Sequence, residues 1–237
     1  MIKNNLLCVN HGAFYTPKYV YNLWKSAMDY TQEGFNFYLF TDNSSIYPQN
    51  LGWNFIQLPD WETNINGFKP WWYKIEIFNQ AHGIAGNNLY LDLDVVIINN
   101  IDSFWNYSPE EFRICHDFNR AFSKKIMFSN SSIMGWRDNA MHHLYKKFIE
   151  NMQYTVHKFR GDQDYIHDNM IDREVFWPRE WAMSWKWEIY RGGKMSPHSN
   201  LYKSDQTIVI PNDTKIIVCH GKPNPHEITE LSSYWNK

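Results

Sequence analysis

Two aspartates separated by one residue interrupt the most apolar segment of the chain. Asp92 and Asp94 lie within residues 88–98, and the flanking side chains of that segment are almost all apolar. In an extended strand, residues two apart project to the same side, so the two carboxylates are expected to share a face. Burying ionised carboxylates is costly without compensation. A divalent cation is the simplest compensation, and oxygen ligands suit Mg²⁺ or Mn²⁺, which commonly share their coordination shell with substrate phosphates. The same D-x-D pattern is common in surface turns, but the apolar flanks favour a metal site.

A second group of polar residues follows the apolar run 216–219 near the end of the chain. His220 would stand at a strand end, where its ring nitrogen could bind Mn²⁺. Gly221 would let the backbone approach a ligand closely, and Lys222 could neutralise a phosphate. A proline-rich terminal loop with incidental charges explains the same residues equally well.

Two further segments combine polar residues with a predicted element boundary. Residues 161–166 are predicted to open a helix, in which Asp162 would serve as the N-cap and acidic residues would suit the first turn. A functional role would instead require Asp162, Gln163 and Asp164 to face a substrate. Asn130 leads into a predicted strand at 131–136 and, taken alone, marks only a loop-to-strand transition.

The elements that would position these residues alternate between strands and helices in the first half of the chain. Predicted strands lie at 6–9, 35–40, 53–58 and 88–98, and predicted helices begin at Thr16-Pro17 and at Pro70, the latter with Trp71, Ile75 and Phe78 on one face. Later predictions are strands at 112–115, 131–136, 184–190, 207–210 and 215–219 and an amphipathic helix between 138 and 152 carrying Leu144, Phe148 and Ile149. Such alternation predicts βαβ units in one α/β domain over residues 1–237, with a mainly parallel mixed sheet flanked by helices.

Composition excludes several classes of protein. The 43% hydrophobic content supports a packed core, and a net charge of -2 gives no broad attraction for nucleic acid or anionic lipid. The three cysteines are far apart in sequence and are predicted to be buried and unpaired. No signal-peptide core or membrane-spanning run is present, which predicts a soluble cytoplasmic protein. The aromatic content of 18% suits a core and also stacking surfaces for sugars or a nucleobase.

Taken together and in order, these segments resemble the GT-A glycosyltransferases, especially those of family 8 and related bacterial and phage enzymes. The resemblance rests on these motifs: Tyr19-Val20-Tyr21-Asn22-Leu23 in the first helix, Thr41-Asp42 at a strand end, Trp71-Trp72-Tyr73-Lys74, Tyr90-Leu91-Asp92-Leu93-Asp94, the Asn-Ser strand at Asn130, the Asp-Gln helix at Asp162 and the terminal His220-Gly221-Lys222-Pro223-Asn224-Pro225-His226. It spans nearly the whole chain. This chain has Asn224 where the family 8 pattern carries a tryptophan after Lys-Pro.

The resemblance implies a single GT-A (Rossmann-like) domain, with a nucleotide-binding half at about 1–100 and an acceptor half at about 101–237. It implies transfer of a hexosyl group, with retention of anomeric configuration, from a UDP- or GDP-sugar to a glycan or lipid-linked acceptor in glycan or polysaccharide synthesis, with Mn²⁺ or Mg²⁺ as cofactor. The residues implied for the metal are Asp92, Asp94 and His220. Those implied for catalysis are Gln163 and Asp162, and those for substrate binding are Asn10, His11, Lys74, Asp92, Asn130, Asp164 and Lys222.

Two other lysine segments have simpler interpretations. Lys186, between two tryptophans in the predicted strand 184–190, also resembles a lysine of related bacterial enzymes that could reach the phosphates, but a snorkelling surface residue is favoured. The Lys124-Lys125 pair could touch a membrane carrying a lipid-linked acceptor, although an ordinary solvated loop is favoured.

Two other functions are consistent with parts of the sequence. A sugar-phosphate nucleotidyltransferase would also use aspartates with Mg²⁺, but it would carry a glycine-rich, Arg-containing loop where this chain has Asn10-His11-Gly12-Ala13-Phe14. A tryptophan-rich carbohydrate-binding module would need exposed aromatic rings and no metal cluster. Sugar binding without nucleotide binding would favour that module.

Overall fold

The computed structural model describes residues 3–118, 128–190, 208 and 210–236. The strands are β1 (Asn4–Asn10), β2 (Phe35–Thr41), β3 (Asn54–Gln57), β4 (Asn87–Leu91), β5 (Val95–Ile97), β6 (Phe112–His116), β7 (Ser129–Arg137), β8 (Glu174–Phe176), β9 (Ala182–Ser184) and β10 (Ile216–Val218). The α-helices are α1 (Pro17–Asp29), α2 (Trp61–Asn64), α3 (Asp102–Asn106), α4 (His142–Glu150), α5 (Met152–Lys158), α6 (Asp162–Met170) and α7 (Ser232–Trp235). Short 3₁₀ helices occur at Ser44–Ile46, Pro70–Phe78, Gln80–His82, Arg179–Trp181, Pro225–Glu227 and Thr229–Leu231, and a single π-helical turn at Trp185–Ile189.

A central sheet of seven strands has the order β3-β2-β1-β4-β7-β6-β8. The pairs β3–β2, β2–β1, β1–β4 and β6–β8 are parallel, whereas β7 runs antiparallel to both β4 and β6. The predicted mainly parallel mixed sheet is therefore confirmed. A second sheet of three strands has the order β5-β10-β9.

Both faces of the central sheet are buried. Its strands carry apolar side chains at successive positions, and successive side chains point to opposite faces. In β1, Leu6 and Cys8 belong to one apolar cluster, whereas Leu7 belongs to the cluster on the other face. Leu89 and Tyr90 divide in the same way in β4. Helices must cover both faces of such a sheet, as they do in parallel α/β folds. All three cysteines are free and buried, as predicted.

The segment 88–98 is not one strand, and this corrects the sequence prediction. β4 pairs with β1 and β7 in the central sheet, whereas β5 pairs with β10 in the small sheet. The chain turns between the two sheets at Asp92-Leu93-Asp94. The two carboxylates therefore lie just beyond the end of an apolar strand, where they can reach a cavity. They do not lie in the middle of that strand.

Other predicted elements differ from those observed. The strand predicted at 184–190 ends at Ser184, because the Ser184 hydroxyl accepts the backbone N–H of Trp187 and starts a π-helical turn. Trp71 does not share the buried face of its 3₁₀ helix and is 47% exposed. Ile149 is likewise an exposed residue of α4, whereas Leu144 and Phe148 are buried as predicted.

The remaining predictions concern the start of α6 and two segments that the structure describes only in part or not at all. The residue that precedes α6 is Gly161, and Asp162 is its first helical residue. Of the strand predicted at 207–210 the structure describes only residues 208 and 210, neither of which lies in a strand, and the Lys124-Lys125 pair lies outside the described residues. No helix among the described residues is long and apolar enough to cross a membrane.

Candidate active site

A cavity of about 750 Å³ opens where β1 and β4 of the central sheet end. Its volume is in the range of pockets that bind small molecules. Most of the residues that the sequence predicted for a site line this cavity, namely Asn10, His11, Lys74, Asp92, Asp94, Asn130, Asp162, Gln163 and His220. The two halves of the chain thus contribute to one cavity.

Lys74 joins two of the acidic residues on the cavity floor. Its ammonium nitrogen lies 2.9 Å from Oδ1 of Asp92 and 3.1 Å from Oδ2 of Asp162. Burial disfavours the charged form of Lys74, but the carboxylates of Asp162 and Asp92 outweigh burial and raise its pKa above the ordinary lysine value. Neighbouring hydroxyls complete the arrangement: Ser131 donates to Asp162 over 2.7 Å, and Tyr90 donates to Asp92 over 2.7 Å.

Asp94 has a different environment from Asp92. It is buried, and burial together with the nearby charge of Asp92 raises its pKa to about 7. The hydroxyl of Tyr15 donates a hydrogen bond to the Asp94 carboxylate. Among the described residues, no lysine, arginine or histidine pairs with Asp94. The charge of Lys74, which does not pair with Asp94, offsets only part of this carboxylate's negative charge.

The charges around Lys74 do not balance. Three carboxyl groups, those of Asp92, Asp94 and Asp162, face one ammonium group. Carboxylate oxygens in a partly enclosed site with excess negative charge are a suitable donor set for Mg²⁺ or Mn²⁺. Asp92 and Asp94 therefore suit a divalent cation, because they offer carboxylate oxygens as ligands and lie in a site with excess negative charge. In the described part of the chain, however, no three His, Cys, Asp or Glu side chains are grouped closely enough to hold an ion.

His220 lines the same cavity but is engaged with another residue. Its Nε2 atom lies 2.7 Å from the hydroxyl of Ser184, and its ring stacks on Phe118. Burial and the nearby charge of Lys186 lower the pKa of His220 to about 4. The imidazole is therefore neutral at pH 7, which is the form that binds metals.

Gln163 and Asn130 form a hydrogen-bonded pair on the cavity wall. The Asn130 amide donates to Oε1 of Gln163 over 3.0 Å, and the Gln163 amide donates to Asp117 over 3.2 Å. The side chain of Gln163 is thus held at both ends. A second, more open cavity of about 440 Å³ adjoins the first and shares Asn130, Gln163 and His220 with it.

The two nucleotide candidates after β1 lie at the other side of the cavity. The buried Asn10 amide donates to the hydroxyl of Tyr47 over 2.7 Å, and its Oδ1 atom has no hydrogen-bond partner among the described residues. His11 packs on Tyr73 with ring centroids 4.4 Å apart, and its Nε2 atom lies 3.5 Å from a carboxylate oxygen of Glu62. Both residues line the cavity.

Two predicted residues do not line the main cavity. The Asp164 carboxylate is 2.6 Å from Nε of Arg160 and faces only the second cavity. Lys222 is exposed, lines neither cavity and lies 2.9 Å from Oε1 of Glu227. The structure therefore does not bring Asp164 or Lys222 together with the aspartates.

Several residues of the site were missed from the sequence. Tyr15, Tyr90 and Ser131 bind the acidic side chains directly, and Ser184 binds His220. Tyr90 precedes the D-x-D pattern by two residues. At a strand end this spacing places Tyr90 near Asp92, so the sequence could have indicated Tyr90 as a site residue. No local pattern indicates Ser184, because its contact with His220 depends on the pairing of distant strands.

Comparisons with known proteins place this architecture among glycosyltransferases. No protein-family model matches the chain, and no curated protein matches it in sequence. Among solved structures, the galactosyltransferase LgtC in complex with donor and acceptor sugar analogs matches with a TM-score of 0.64 and 11% identity, covering 98% of this chain and 95% of that chain. An active-site mutant of LgtC matches with a TM-score of 0.61 and 12% identity, covering 97% of this chain and 95% of that chain.

A further structural neighbour is the glycosyltransferase GlyE of Streptococcus pneumoniae TIGR4. It matches with a TM-score of 0.55 and 13% identity, covering 76% of this chain and 47% of GlyE. The chain thus spans about half the length of GlyE. The fold of the chain is the GT-A glycosyltransferase fold, as the sequence resemblance predicted.

Proposed function

We propose that this chain is a metal-dependent glycosyltransferase that moves a hexosyl group from a nucleoside-diphosphate donor to an acceptor hydroxyl. The observation that carries the proposal is the group of three carboxylates around Lys74 on the floor of a cavity of about 750 Å³. The excess negative charge suits a divalent cation, and the cavity volume suits a nucleotide-sugar. The GT-A fold raises the expectation of sugar transfer but does not by itself establish it.

Asp92 and Asp94 are the residues proposed to hold Mn²⁺ or Mg²⁺, with His220 as the third protein ligand. The bound cation supplies stabilisation of the negative charge that develops on the departing diphosphate. Binding through His220 requires its Nε2 atom to leave the Ser184 hydroxyl, or its other ring nitrogen to be used. Because the imidazole of His220 is already neutral, it does not have to lose a proton before it binds the cation.

Lys74 is proposed to hold Asp92 and Asp162 in place and to remain close to the donor. Its ammonium contacts both carboxylates and is almost completely buried, so its position is fixed before substrate arrives. Such preorganised charge lowers the reorganisation needed during the reaction. Asn10 and His11 are proposed to bind the nucleotide of a UDP- or GDP-sugar.

The acceptor is proposed to enter through the second cavity, which adjoins the first at Asn130 and Gln163. Asp164 and Arg160 line that cavity and would contact a glycan or lipid-linked acceptor there. LgtC, which shares the fold, was solved with donor and acceptor sugar analogs together, and this supports a site of two parts. The proposed role is in glycan or polysaccharide synthesis.

Retention of anomeric configuration is part of the proposal. An inverting transfer needs a free carboxylate base beside the acceptor hydroxyl. Asp162 is instead engaged in an ion pair with Lys74, and Asp164 in an ion pair with Arg160. Gln163 is neither a base nor a good nucleophile, and its fixed amide is suited to orienting the donor sugar. The acceptor would then attack from the face that the diphosphate leaves, and a diphosphate oxygen would take the proton.

The experiment that tests the function is a donor panel followed by ³¹P NMR. UDP- and GDP-hexoses are incubated with the protein and Mn²⁺, with and without simple glycan acceptors, and release of nucleoside diphosphate is measured. We expect one donor to be consumed with Mn²⁺ and not with excess chelator. Consumption at the same rate in chelator would contradict metal dependence, and a sugar-binding protein that consumes and binds no nucleotide would contradict the enzyme itself.

A further inference from the structure

Trp71 is exposed, whereas the residues that follow it in its helix are buried. The seven residues from Trp72 to the end of the 3₁₀ helix Pro70–Phe78 are all buried, but Trp71 is 47% exposed. Its side chain lines the main cavity. A large apolar ring left in water forgoes the stabilisation that burial would give, and exposed apolar surface at a cavity is typical of a binding site.

The helix places Trp71 in the same row as Lys74. Side chains three residues apart in a 3₁₀ helix eclipse one another, about 6 Å apart along the helix axis. Both residues line the main cavity. Lys74 is buried on the floor of that cavity, whereas Trp71 is exposed. Trp71 therefore lies at the mouth of the cavity, one helical turn outward from Lys74.

Gly161 fixes the position of the Trp71 indole against the start of α6. A Cβ built on Gly161 would lie 3.1 Å from Nε1 and 3.3 Å from Cδ1 of Trp71. These distances are shorter than an ordinary van der Waals contact, so the five-membered ring of the indole packs on the backbone just before Asp162 and Gln163. Gly161 lines the second cavity, which shares Asn130 and Gln163 with the main one. The indole therefore lies where the two cavities adjoin.

The polar groups beside this junction suit the hydroxyl groups of a sugar. The second cavity is lined by the amides of Asn130 and Gln163 and by the ion pair of Arg160 with Asp164. These planar side chains offer both hydrogen-bond donors and acceptors. A pyranose has an apolar face of C–H groups, which can stack on an aromatic ring, and hydroxyls around its rim, which need polar partners. An aromatic ring next to such planar polar groups is therefore suited to a sugar ring.

The charges of the second cavity favour an uncharged acceptor. Its lining contains two acidic and two basic side chains, namely Asp117, Asp164, Arg160 and Lys186. Their formal charges cancel, unlike those on the floor of the main cavity. An acceptor that carries a phosphate or a carboxylate would gain no net Coulomb attraction there. A second tryptophan, Trp187, also lines this cavity.

The donor sugar is expected deeper in the main cavity than Trp71. Under the proposed function, the diphosphate lies on a cation held by Asp92 and Asp94. The attached sugar then lies beside Lys74 and Asp162 on the cavity floor. The acceptor has to approach that sugar from outside, through the junction of the two cavities. Because Trp71 lies at this junction, its neighbour is the acceptor and not the donor.

We infer that Trp71 is the stacking surface for the acceptor, and that the acceptor is an uncharged sugar ring. This inference rests on the proposed function and narrows its acceptor class. In the transfer, the bond from the anomeric carbon to the diphosphate oxygen breaks, and a bond from the same carbon to a hydroxyl oxygen of the acceptor sugar forms. The proton of that hydroxyl passes to the diphosphate.

Initial rates with saturating donor and Mn²⁺ test the inference on a panel of possible acceptors. The panel contains methyl glycosides of common hexoses and N-acetylhexosamines, lactose, glycerol 3-phosphate and a serine peptide. We expect at least one of the sugars to be the acceptor. Trp71→Ala should raise the KM for that sugar roughly ten- to a hundredfold, because the stacking surface is lost. The KM for donor and the rate of donor hydrolysis without acceptor should change less than about threefold.

Three further variants control for the fold and for the ring itself. Trp71→Phe should keep the KM for the sugar within about fivefold, because an aromatic face remains. Gly161→Ala keeps the indole but displaces it, so it should also raise that KM, by about threefold or more. Tyr154→Ala removes an exposed aromatic ring that lines neither cavity and should change the KM less than about twofold. The melting temperature of each variant verifies the fold.

The outcomes separate this inference from the proposed function. If the unaltered protein consumes no nucleotide-sugar, the proposed function fails and this inference fails with it. If it consumes a donor but uses none of the sugars as acceptor, or if Trp71→Ala keeps the KM for the sugar, only the inference on Trp71 is overturned. A Trp71→Ala variant that loses as much affinity for donor as for acceptor would place the donor sugar on the indole and would also overturn it.

Discussion

The backbone N–H of Cys219 donates a 2.9 Å hydrogen bond to the carbonyl oxygen of Asp94. This bond continues the antiparallel pairing of β10 with β5 by one step beyond the strands. It fixes the residue before His220 against the second aspartate of the D-x-D pattern, although the two are far apart in sequence. The position of His220 in the site is therefore determined by strand pairing rather than by the flexible end of the chain.

Replacing Asp94 by asparagine should remove metal binding and leave the fold intact. The amide is similar in shape and carries no charge, so the buried site loses a desolvation cost while Mn²⁺ loses a ligand. We expect Asp94→Asn to bind Mn²⁺ at least about tenfold more weakly by calorimetry, with an apo melting temperature equal to or above that of the unaltered protein at pH 8. A variant that keeps full Mn²⁺ affinity would show that Asp94 is not a ligand.

The stability of the same variant should depend on pH differently from the stability of the unaltered protein. The pKa of Asp94 is about 7 in the folded protein and 3.8 in the unfolded chain, so between these values the folded state holds the extra proton. The contribution of Asp94 to the free energy of unfolding therefore falls as pH rises from about 4 to about 7, by roughly 1 kcal/mol per pH unit. His220 has the opposite effect. Because its pKa is lowered to about 4, its contribution to the free energy of unfolding increases as pH rises to about 6.5.

The two effects separate when Asp94→Asn is compared with the unaltered protein, because His220 is common to both. We expect the free energy of unfolding of Asp94→Asn, relative to that of the unaltered protein, to increase from pH 4.5 to pH 7 and to level off above pH 7. Urea titrations at four pH values measure it. A difference that does not change with pH would show that the Asp94 carboxylate titrates normally.

Lys74 should be required for stability as well as for the site. Lys74→Met would leave the buried Asp162 and the partly buried Asp92 without their cation, and breaking a buried ion pair in this way costs about 3–5 kcal/mol. Urea denaturation measures the loss. Lys25→Met, which removes the exposed pair with Asp29, is the matched control and should cost less than about 1 kcal/mol.

Adding Asp162→Asn to Lys74→Met should recover part of the lost stability, because one of the two unpaired charges is then removed. If the double variant is no more stable than Lys74→Met, the destabilisation comes from lost packing rather than from uncompensated charge.

The alternation of strands and helices predicted an α/β domain with a mainly parallel mixed sheet, and the resemblance of the ordered motifs to family 8 enzymes predicted the GT-A fold. The sequence also identified Asp92 and Asp94, but for a partly wrong reason: the pair lies in the turn between two sheets and not on one extended strand. Apolar composition cannot show this, because the residues directly before and after the pair are apolar in both strands, whereas the partners of β4 and β5, β1 and β10, are distant in sequence.

Two lysines were misassigned for a different reason, namely contacts close to them in sequence. Lys186 was assigned to a strand because its neighbours are tryptophans, whereas the Ser184 hydroxyl turns the chain there. Lys222 was assigned to the site from its place beside His220, whereas its ion pair with Glu227 holds it outside. Both contacts are local: Ser184 lies three residues before Trp187, and Lys222 lies five residues before Glu227.

Gln163 should affect the reaction more than it affects donor binding. Its amide is held by Asn130 and Asp117 in a fixed orientation on the cavity wall. If it orients the donor sugar only as the bond breaks, Gln163→Ala should lower kcat by roughly ten- to a hundredfold while the KM for donor changes less than about threefold.

The product of the unaltered enzyme should keep the anomeric configuration of the donor, and proton NMR of the product determines it. An inverted product would exclude the role proposed for Gln163. Asp162 or Asp164 would then become the candidate base.

The measurement that tests the central claim most directly is calorimetric binding of UDP and GDP in Mn²⁺ and, separately, in EDTA. The claim is that a cation held by Asp92 and Asp94 binds the diphosphate of a sugar donor in the cavity that Lys74 and His220 line. We expect one of the two nucleotides to bind in Mn²⁺ and to bind at least about tenfold more weakly in EDTA. Equal affinity in Mn²⁺ and EDTA, or no binding of either nucleotide in Mn²⁺, would contradict it.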